Sequence, residues 1–294
     1  MEATILSKVI LPLSLFIIML GMGLALKVED FSRVFTAPKA AMIGIASQLI
    51  LLPVIGIAVI YLFGFSGELA VGLLILTFCP GGVTSNMMSY LAKGDTALSI
   101  TLTAVVSLIT PFTIPLLTFL AMSYFMDASH NFSMPVGQTI VQLLVITVLP
   151  VAIGMLLHNK FPEKTKQAEK PVKVFSVLFL FLIIAGIIAN EWANMAHYFV
   201  TTGVATLALN VATLLLGYFI ALTFFLEKRQ AISIGIEVGI QNGTLALLVA
   251  GTILENAVMT IPAITYSLLM FATGGIFAWL VSRDEPVAIA AKAE

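Results

Sequence analysis

Glu237 stands inside a long apolar stretch, with Gln241 four residues on and glycines at 235, 239 and 243 around it. A second stretch, Cys79-Pro-Gly-Gly-Val-Thr-Ser-Asn86, interrupts another apolar run. Beyond it come Ser99 and Thr103, spaced i, i+4 so that both lie on one helix face. Small hard cations prefer carboxylate, amide, hydroxyl and carbonyl oxygen over nitrogen or sulfur. The chemistry open to these residues is therefore the binding of a dehydrated cation. Glu237 would be its only charge, Gln241 would share that helix face, and the carbonyls of Val238 and Ile240 would be freed where glycines disfavour regular helix. Ser85 and Asn86 follow Pro80-Gly81-Gly82, where a Ser or Asn commonly caps the new half-helix; that role is compatible with ligation. The plainer alternatives are Ser99 and Thr103 bonded to their own i−4 carbonyls, and a protonated, hydrogen-bonded Glu237. An ion there costs about 2.5–3.5 kcal/mol even on the mildest insertion scale, and intramembrane acids mark function by default.

Such residues need elements that hold them in lipid. The chain has 294 residues, 60% hydrophobic and 10% charged, which makes lipid its solvent. A spanning helix takes about 20 apolar residues, and nine segments qualify: 5–26, 37–63, 69–92, 95–123, 134–158, 172–190, 198–225, 230–253 and 258–282. The class is an all-α polytopic membrane protein. Both interrupted segments, the third and the eighth, break where backbone is tolerated only if buried in protein or lining a wet cavity. Interruptions at corresponding places in two halves point to a transporter's binding site. Their odd offset reverses orientation across the membrane, so helices 1–4 correspond to 6–9 as an inverted repeat. Helix 5 opens the second repeat, and the first is one helix short.

Of the 14 Lys and Arg, all but Lys8 fall at Lys27, Arg33, Lys39, Lys93, 160–173, Lys228, Arg229, Arg283 and Lys292, on alternate loops and the tail. The intervening loops carry Glu68, Asp127, Glu191 and Glu255. Positive charge concentrates inside, so the N-terminus is expected outside and the C-terminus in the cytoplasm of an inner (plasma) membrane. A net charge of −1 gives no footing for nucleic acid. The segment 5–26 is longer than a signal-peptide core and has its basic flank on the wrong side. Cys79, the only cysteine, excludes an internal disulfide and a thiolate metal site. Pro111 and Pro115 predict a kink, with Thr110 and Thr113 near enough to rebond freed carbonyls, and Gly274-Gly275 predicts close helix packing.

Taken together, Cys79–Asn86, Tyr90-Leu-Ala-Lys-Gly-Asp95, Ala97-Leu-Ser-Ile100 and Glu237-Val-Gly-Ile-Gln-Asn242 resemble the bile acid:sodium symporter family over nearly the whole chain. The resemblance implies one transporter domain, 1–294. A core (37–126 and 196–283) would hold two crossing broken helices, beside a panel (1–33 and 134–192), in the nine-helix form that lacks the family's first helix. It implies two co-transported sodium ions. The first would be held by Ser85, Asn86, Ser99, Thr103 and Glu237. The second would be held by Gln48, Glu237, Gln241 and the carbonyls of Val238 and Ile240. Apart from the resemblance, Gln48 has only a structural hydrogen bond to explain it.

Two sodium ions about one carboxylate leave a formal +1, and half-helix N-termini add positive dipole ends. The expected substrate is thus an organic anion between core and panel, against Gly82, Val83, Thr84 and Asn242, with Asn210 as a further polar contact. Bile-salt-binding relatives often carry His-Asn where this chain has Met270-Phe271, so the substrate's identity does not transfer. A bile-acid-like molecule and a smaller carboxylate such as pantoate both remain open. Lipid is a partner; no obligate protein partner is implied. The competing readings are a proton-coupled antiporter, which needs a second intramembrane acid or a Lys-Asp pair, and a sensor that binds without transporting. An enzyme is disfavoured: His130, His158 and His197 sit near helix ends, and neither His-Glu-x-x-His nor Gly-x-Ser-x-Gly occurs.

Overall fold

The computed structural model describes residues 9–126, 135–190 and 192–283, all of them helix or short connection. Lys8, Asp127, His130, Glu191 and Lys292 lie outside these residues, as do the side chains of Lys166, Lys170, Lys173 and His197. In chain order the helices are α1 Leu11–Ala25, α2 Val28–Thr36, α3 Pro38–Ala46, α4 Leu52–Phe63, α5 Gly67–Phe78, α6 Val83–Leu91 and α7 Thr96–Phe125. There follow α8 Val136–Leu143, α9 Leu149–Lys160, α10 Pro162–Asn190, α11 Trp192–Thr223, α12 Lys228–Gly239, α13 Gly243–Leu248 and α14 Ala257–Ser282. Wide turns at Ser47–Leu51 and Leu144–Val148 join α3 to α4 and α8 to α9, and a third at Val249–Ile253 extends α13. The first two run into Pro53 and Pro150, whose missing N–H loosens the preceding ladder.

Among the described residues, five helices are long and apolar enough to cross a membrane: Pro38–Phe63, Thr96–Phe125, Val136–Lys160, Phe199–Thr223 and Ala257–Ser282. A sixth follows if α1 and α2, bent by 67°, make one span. Charge explains that bend: Lys27, Glu29, Asp30 and Arg33 cannot continue α1 into lipid, and Lys27 N–H instead caps on Asp30 Oδ2 at 2.7 Å. The segments expected at 69–92 and 230–253 are each two short helices, α5 with α6 and α12 with α13.

Several local expectations are corrected. The basic run 160–173, expected in a loop, ends α9 and begins α10, because Pro162 starts a helix of good helix formers. The kink expected at Pro111 and Pro115 falls within a single helix, α7. Thr113 rebonds nothing; its hydroxyl has no partner. The carbonyls that those prolines release belong to Ser107 and Pro111, whereas Thr113 bonding back to i−3 or i−4 would meet those of Thr110 and Ile109. Gly235 does not break α12 but lets α11 approach: a Cβ there would sit 2.8 Å from the Leu214 carbonyl oxygen. Of the glycine pair in α14, only Gly274 packs, against Ile240, while Gly275 faces open space.

Two stretches pass through the same succession of devices. α4 and α11 each end in a left-handed residue, Gly64 (φ 68°) and Phe225 (φ 57°); α6 and the extended α13 likewise end at Lys93 (φ 58°) and Glu255 (φ 49°). The long helices that follow, α7 and α14, are capped by Asp95 and Asn256, which accept from Leu98 N–H at 3.0 Å and Met259 N–H at 3.1 Å. Each cap residue also clasps the start of the other stretch. Asp95 N–H donates to the Arg229 carbonyl at 2.9 Å, and Asn256 Nδ2 donates to Glu68 Oε1 at 2.7 Å.

Candidate functional site

The two breaks meet. Pro80 lacks an N–H and disfavours helix for the residue before it, and Cys79 leaves α5 in extended conformation. Ile240 leaves α12 the same way. Gly81 and Gln241 then form an isolated antiparallel bridge, with Asn242 N–H donating to the Pro80 carbonyl at 2.9 Å. Gly81 has to be glycine, because a Cβ would fall on the Glu237 carboxylate.

Backbone groups freed in lipid must find partners inside the protein, and side-chain amides and a phenol supply several. Cys79 O accepts from Gln48 Nε2 at 2.9 Å. Gly239 O accepts from Asn210 Nδ2 at 2.7 Å and Tyr266 OH at 2.8 Å. Val238 O accepts from Gln241 Nε2 at 2.8 Å.

Around Glu237, three helices converge. Its Oε2 lies 2.7 Å from Ser85 Oγ of α6 and 3.2 Å from Ser99 Oγ of α7, and its Oε1 lies 2.5 Å from Thr103 Oγ1. Asn86 Oδ1 faces the same two α7 hydroxyls, at 2.8 and 3.2 Å. Ser85, Ser99 and Glu237 are fully buried, and Thr103 is 1% exposed. The hydroxyls are short of protons. Ser85 also faces Gly82 O at 2.7 Å, and Thr103 also faces Ser99 O at 3.0 Å. Each hydroxyl carries one proton and stands before two or three acceptors. A cluster richer in acceptors than donors, built on one carboxylate, can be completed by a cation or by a proton on Glu237. Among the described residues no three His, Cys, Asp or Glu side chains gather, so the donor set suits a hard monovalent ion.

Gln48 and Gln241 form the adjoining polar pair, with Gln48 Nε2 donating to Gln241 Oε1 at 2.8 Å; both are 1% exposed. The wide turn at Ser47–Leu51 carries Gln48 into this position. Every residue expected around the cations thus lies at or beside the meeting of the breaks.

The roles of some differ from expectation. Ser85 and Asn86 do not cap α6. Gly82 starts it without a side-chain cap, and Ser85 turns inward to Glu237. Asn242 caps α13 through Leu245 N–H at 3.0 Å. It also lines a narrow cleft of about 30 Å³ with Gly82, Val83, Thr84, Thr244 and Met270, closed from the other side by Ile18 and Met19 of α1 and Leu180 of α10. Asn210 stands apart from that cleft, fully buried, bonded to Gly239 O and to Thr273 Oγ1; it holds the second break in shape. Sequence reasoning missed Ser89, Tyr266 and Thr273. Ser89 was within reach, since Ser85 and Ser89 share the spacing that singled out Ser99 and Thr103.

A family model, the sodium bile acid symporter family, matches residues 12–198. The relatives include the "uncharacterized sodium-dependent transporter YocS" of Bacillus subtilis, 27% identical over 267 residues, 91% of this chain and 81% of that protein. The ileal sodium/bile acid cotransporter of Cricetulus griseus is 27% identical over 280 residues, 93% of this chain and 78% of its own. The "probable sodium/metabolite cotransporter BASS2, chloroplastic" of Oryza sativa subsp. japonica is 28% identical over 258 residues, 88% of this chain. This chain spans 60% of that plastid protein's length.

Proposed function

The chain belongs to the sodium bile acid symporter family, and on that premise we propose that it is a sodium-coupled secondary active symporter importing an organic anion by alternating access. Membership makes it a transporter and not an enzyme. The observation that carries the coupling is the surplus of acceptors over donors around a fully buried Glu237. Two sodium ions are the cargo. One sits among Ser85, Asn86, Ser99, Thr103 and Glu237. The other sits among Gln48, Glu237, Gln241 and the carbonyls of Val238 and Ile240. Its binding requires the two amides to turn their oxygens toward the ion, because here Gln48 Nε2 donates to Gln241 Oε1 and Gln241 Nε2 donates to Val238 O. With one carboxylate, the loaded site carries +1 and favours an anion.

Nine spans fit an inverted repeat in which α5–α6 and α12–α13 are the crossing pair. The repeated succession of left-handed ends and caps supports this. A panel of 1–33 and 134–192 beside a core of 37–126 and 196–283 is supported by the packing of α1 on α9 and α10, and of α11 on α12 and α14, whereas α2, most of which falls in the panel range, packs on α3 and α7 of the core. Arg33, Lys93 and Arg229 mark the cytoplasmic face, which leaves the N-terminus outside.

The anion binds between panel and core against Gly82, Val83, Thr84 and Asn242. At about 30 Å³ the cleft has room for one or two waters, so α1 and α10 must part from the breaks to admit any organic anion. Met270 in the cleft wall gives an apolar contact, which leaves bile-acid-like and small carboxylate substrates as the classes to test.

The test is uptake into proteoliposomes at equal pH on both sides. An inward sodium gradient should drive accumulation of a labelled anion, and a negative-inside potential should increase it, at about 2.3 kcal/mol per charge per 100 mV. Uptake driven by a proton gradient without sodium would replace this reading with proton coupling. Saturable binding with neither accumulation nor counterflow would make the protein a sensor.

A further inference from the structure

Each of the three helices around Glu237 carries another oxygen-bearing side chain one turn nearer the face that bears Arg33 and Arg229. On α6 it is Ser89, four residues after Ser85. On α12 it is Ser233, four residues before Glu237. On α7, Asp95, Ser99 and Thr103 follow at steps of four. That spacing keeps each set on one helix face. Ser89 and Ser233 are both 0% exposed.

In space these groups run outward as two pairs, Ser89 with Ser99 and Ser233 with Asp95, with the Gly94 backbone between them. Ser89 Oγ lies 3.2 Å from Ser99 Oγ, which lies 3.2 Å from Glu237 Oε2. Gly94 occupies the next position. Its N–H donates to Ser89 O at 2.8 Å, and a Cβ on it would come within 2.6 Å of Ser233 Oγ. Ser233 Oγ donates to Asp95 O at 2.9 Å. The Asp95 carboxylate, 23% exposed, ends the series at the surface, 3.5 Å from Arg33 Nη1.

Buried hydroxyls in a lipid-embedded core are unfavourable unless partnered, and alanine would fill either serine's place without that requirement. Ser89 Oγ donates to Ser99 Oγ and so places one more hydroxyl oxygen on the surface side of Ser99. As an oxygen for a cation leaving the cluster it has a use. Ser233 and Asp95 extend that use, and Arg33 is the counterion a cation at Asp95 has to displace.

We propose that this series is the route by which the Glu237-bound monovalent cation is released toward the Arg33 face, with Ser89 the first oxygen beyond the cluster, Ser233 the next and Asp95 the last. The inference rests on the sodium-symport reading and deepens it by assigning the release step to residues outside the binding set.

The experiment compares two modes in proteoliposomes for wild type, Ser89→Ala and Ser233→Ala. Net sodium-driven uptake requires a cation to leave in every cycle. Exchange of labelled for unlabelled substrate, with saturating sodium on both sides, does not. Each variant should lose roughly fivefold in net uptake while exchange stays within about twofold of wild type, the scale set by one neutral hydrogen-bonding group. The midpoint of sodium-dependent thermal stabilisation should not move. If uptake and exchange fall together in both variants, the serines are structural and the route is overturned; if neither mode changes, it is overturned as well. Failure of the underlying reading looks different, because wild type itself would then show neither sodium-driven uptake nor sodium-dependent exchange.

Discussion

At the first break the chain leaves α5 at Cys79 and restarts at Gly82 with no side-chain cap. At the second it leaves α12 at Ile240 and restarts at Asn242, whose side chain caps α13. The backbone plans match closely enough to pair through Gly81 and Gln241, yet the side chains divide the work. The first break supplies neutral oxygens, Ser85 and Asn86. The second supplies the carboxylate of Glu237 and the amide of Gln241. Their supports differ too: Gln48 holds Cys79 O, whereas Asn210 and Tyr266 hold Gly239 O. The difference shows that only one of the two breaks carries a charge. A second carboxylate in the same dry cluster would bring like-charge repulsion and a further desolvation cost, so one half carries the charge and the other surrounds it.

The sharpest way to break this division is to remove the charge. Glu237→Gln should abolish sodium-driven uptake, a loss on the order of a hundredfold or more if the lone charged ligand contributes about 3 kcal/mol. Sodium-dependent thermal stabilisation should vanish with it, while circular dichroism keeps its helical signal. Retention of sodium-dependent stabilisation would refute the role given to Glu237.

Next in size is the glycine at each break. Gly81→Ala places a methyl on the Glu237 carboxylate, whereas Gly243→Ala meets Ser267 Oγ instead. Both should lower thermal stability by about 1–3 kcal/mol, the usual cost of overpacking. Only the first should also weaken sodium affinity in a titration of the thermal shift, and Ser267→Gly should rescue only the second.

Ser99→Ala removes one neutral ligand and should raise the sodium midpoint roughly fivefold, as expected for about 1 kcal/mol. Gln48→Ala should have a similar or smaller effect, confined to the second of two sodium-binding phases in a fluorescence or calorimetric titration. The smallest functional effect should come from Asn210→Ala: a lower melting temperature with the rank order of substrates unchanged, because Asn210 supports Gly239 O and does not reach the cleft.

Much of the site was legible because its signals are local. Pro80-Gly81-Gly82 announces a break through a missing N–H and missing side chains, and a lone Glu237 in an apolar run stands out by its desolvation cost. Ser99 and Thr103 were legible through helix periodicity. Asn210 was not: nothing in α11 says that its amide reaches across to the carbonyl of Gly239 in α12. Gly235 misled for the opposite reason. The same residue type that loosens a helix also admits a neighbouring backbone, and only the position of α11 decides between them. The start of α10 was missed because charge density was read as loop, although Lys, Glu and Ala favour helix once Pro162 begins one.

By itself the sequence determined an all-helical membrane protein, the places where two of its helices break and the residue that carries the buried charge. Each follows from composition, backbone restriction or solvation, which act at short range along the chain. Tertiary structure alone decided that both breaks lie against each other, that hydroxyls from α6 and α7 share one carboxylate from α12, and which freed carbonyl each amide satisfies. Those outcomes depend on how helices far apart in sequence pack, and packing is settled by whole surfaces and not by any single residue's preference.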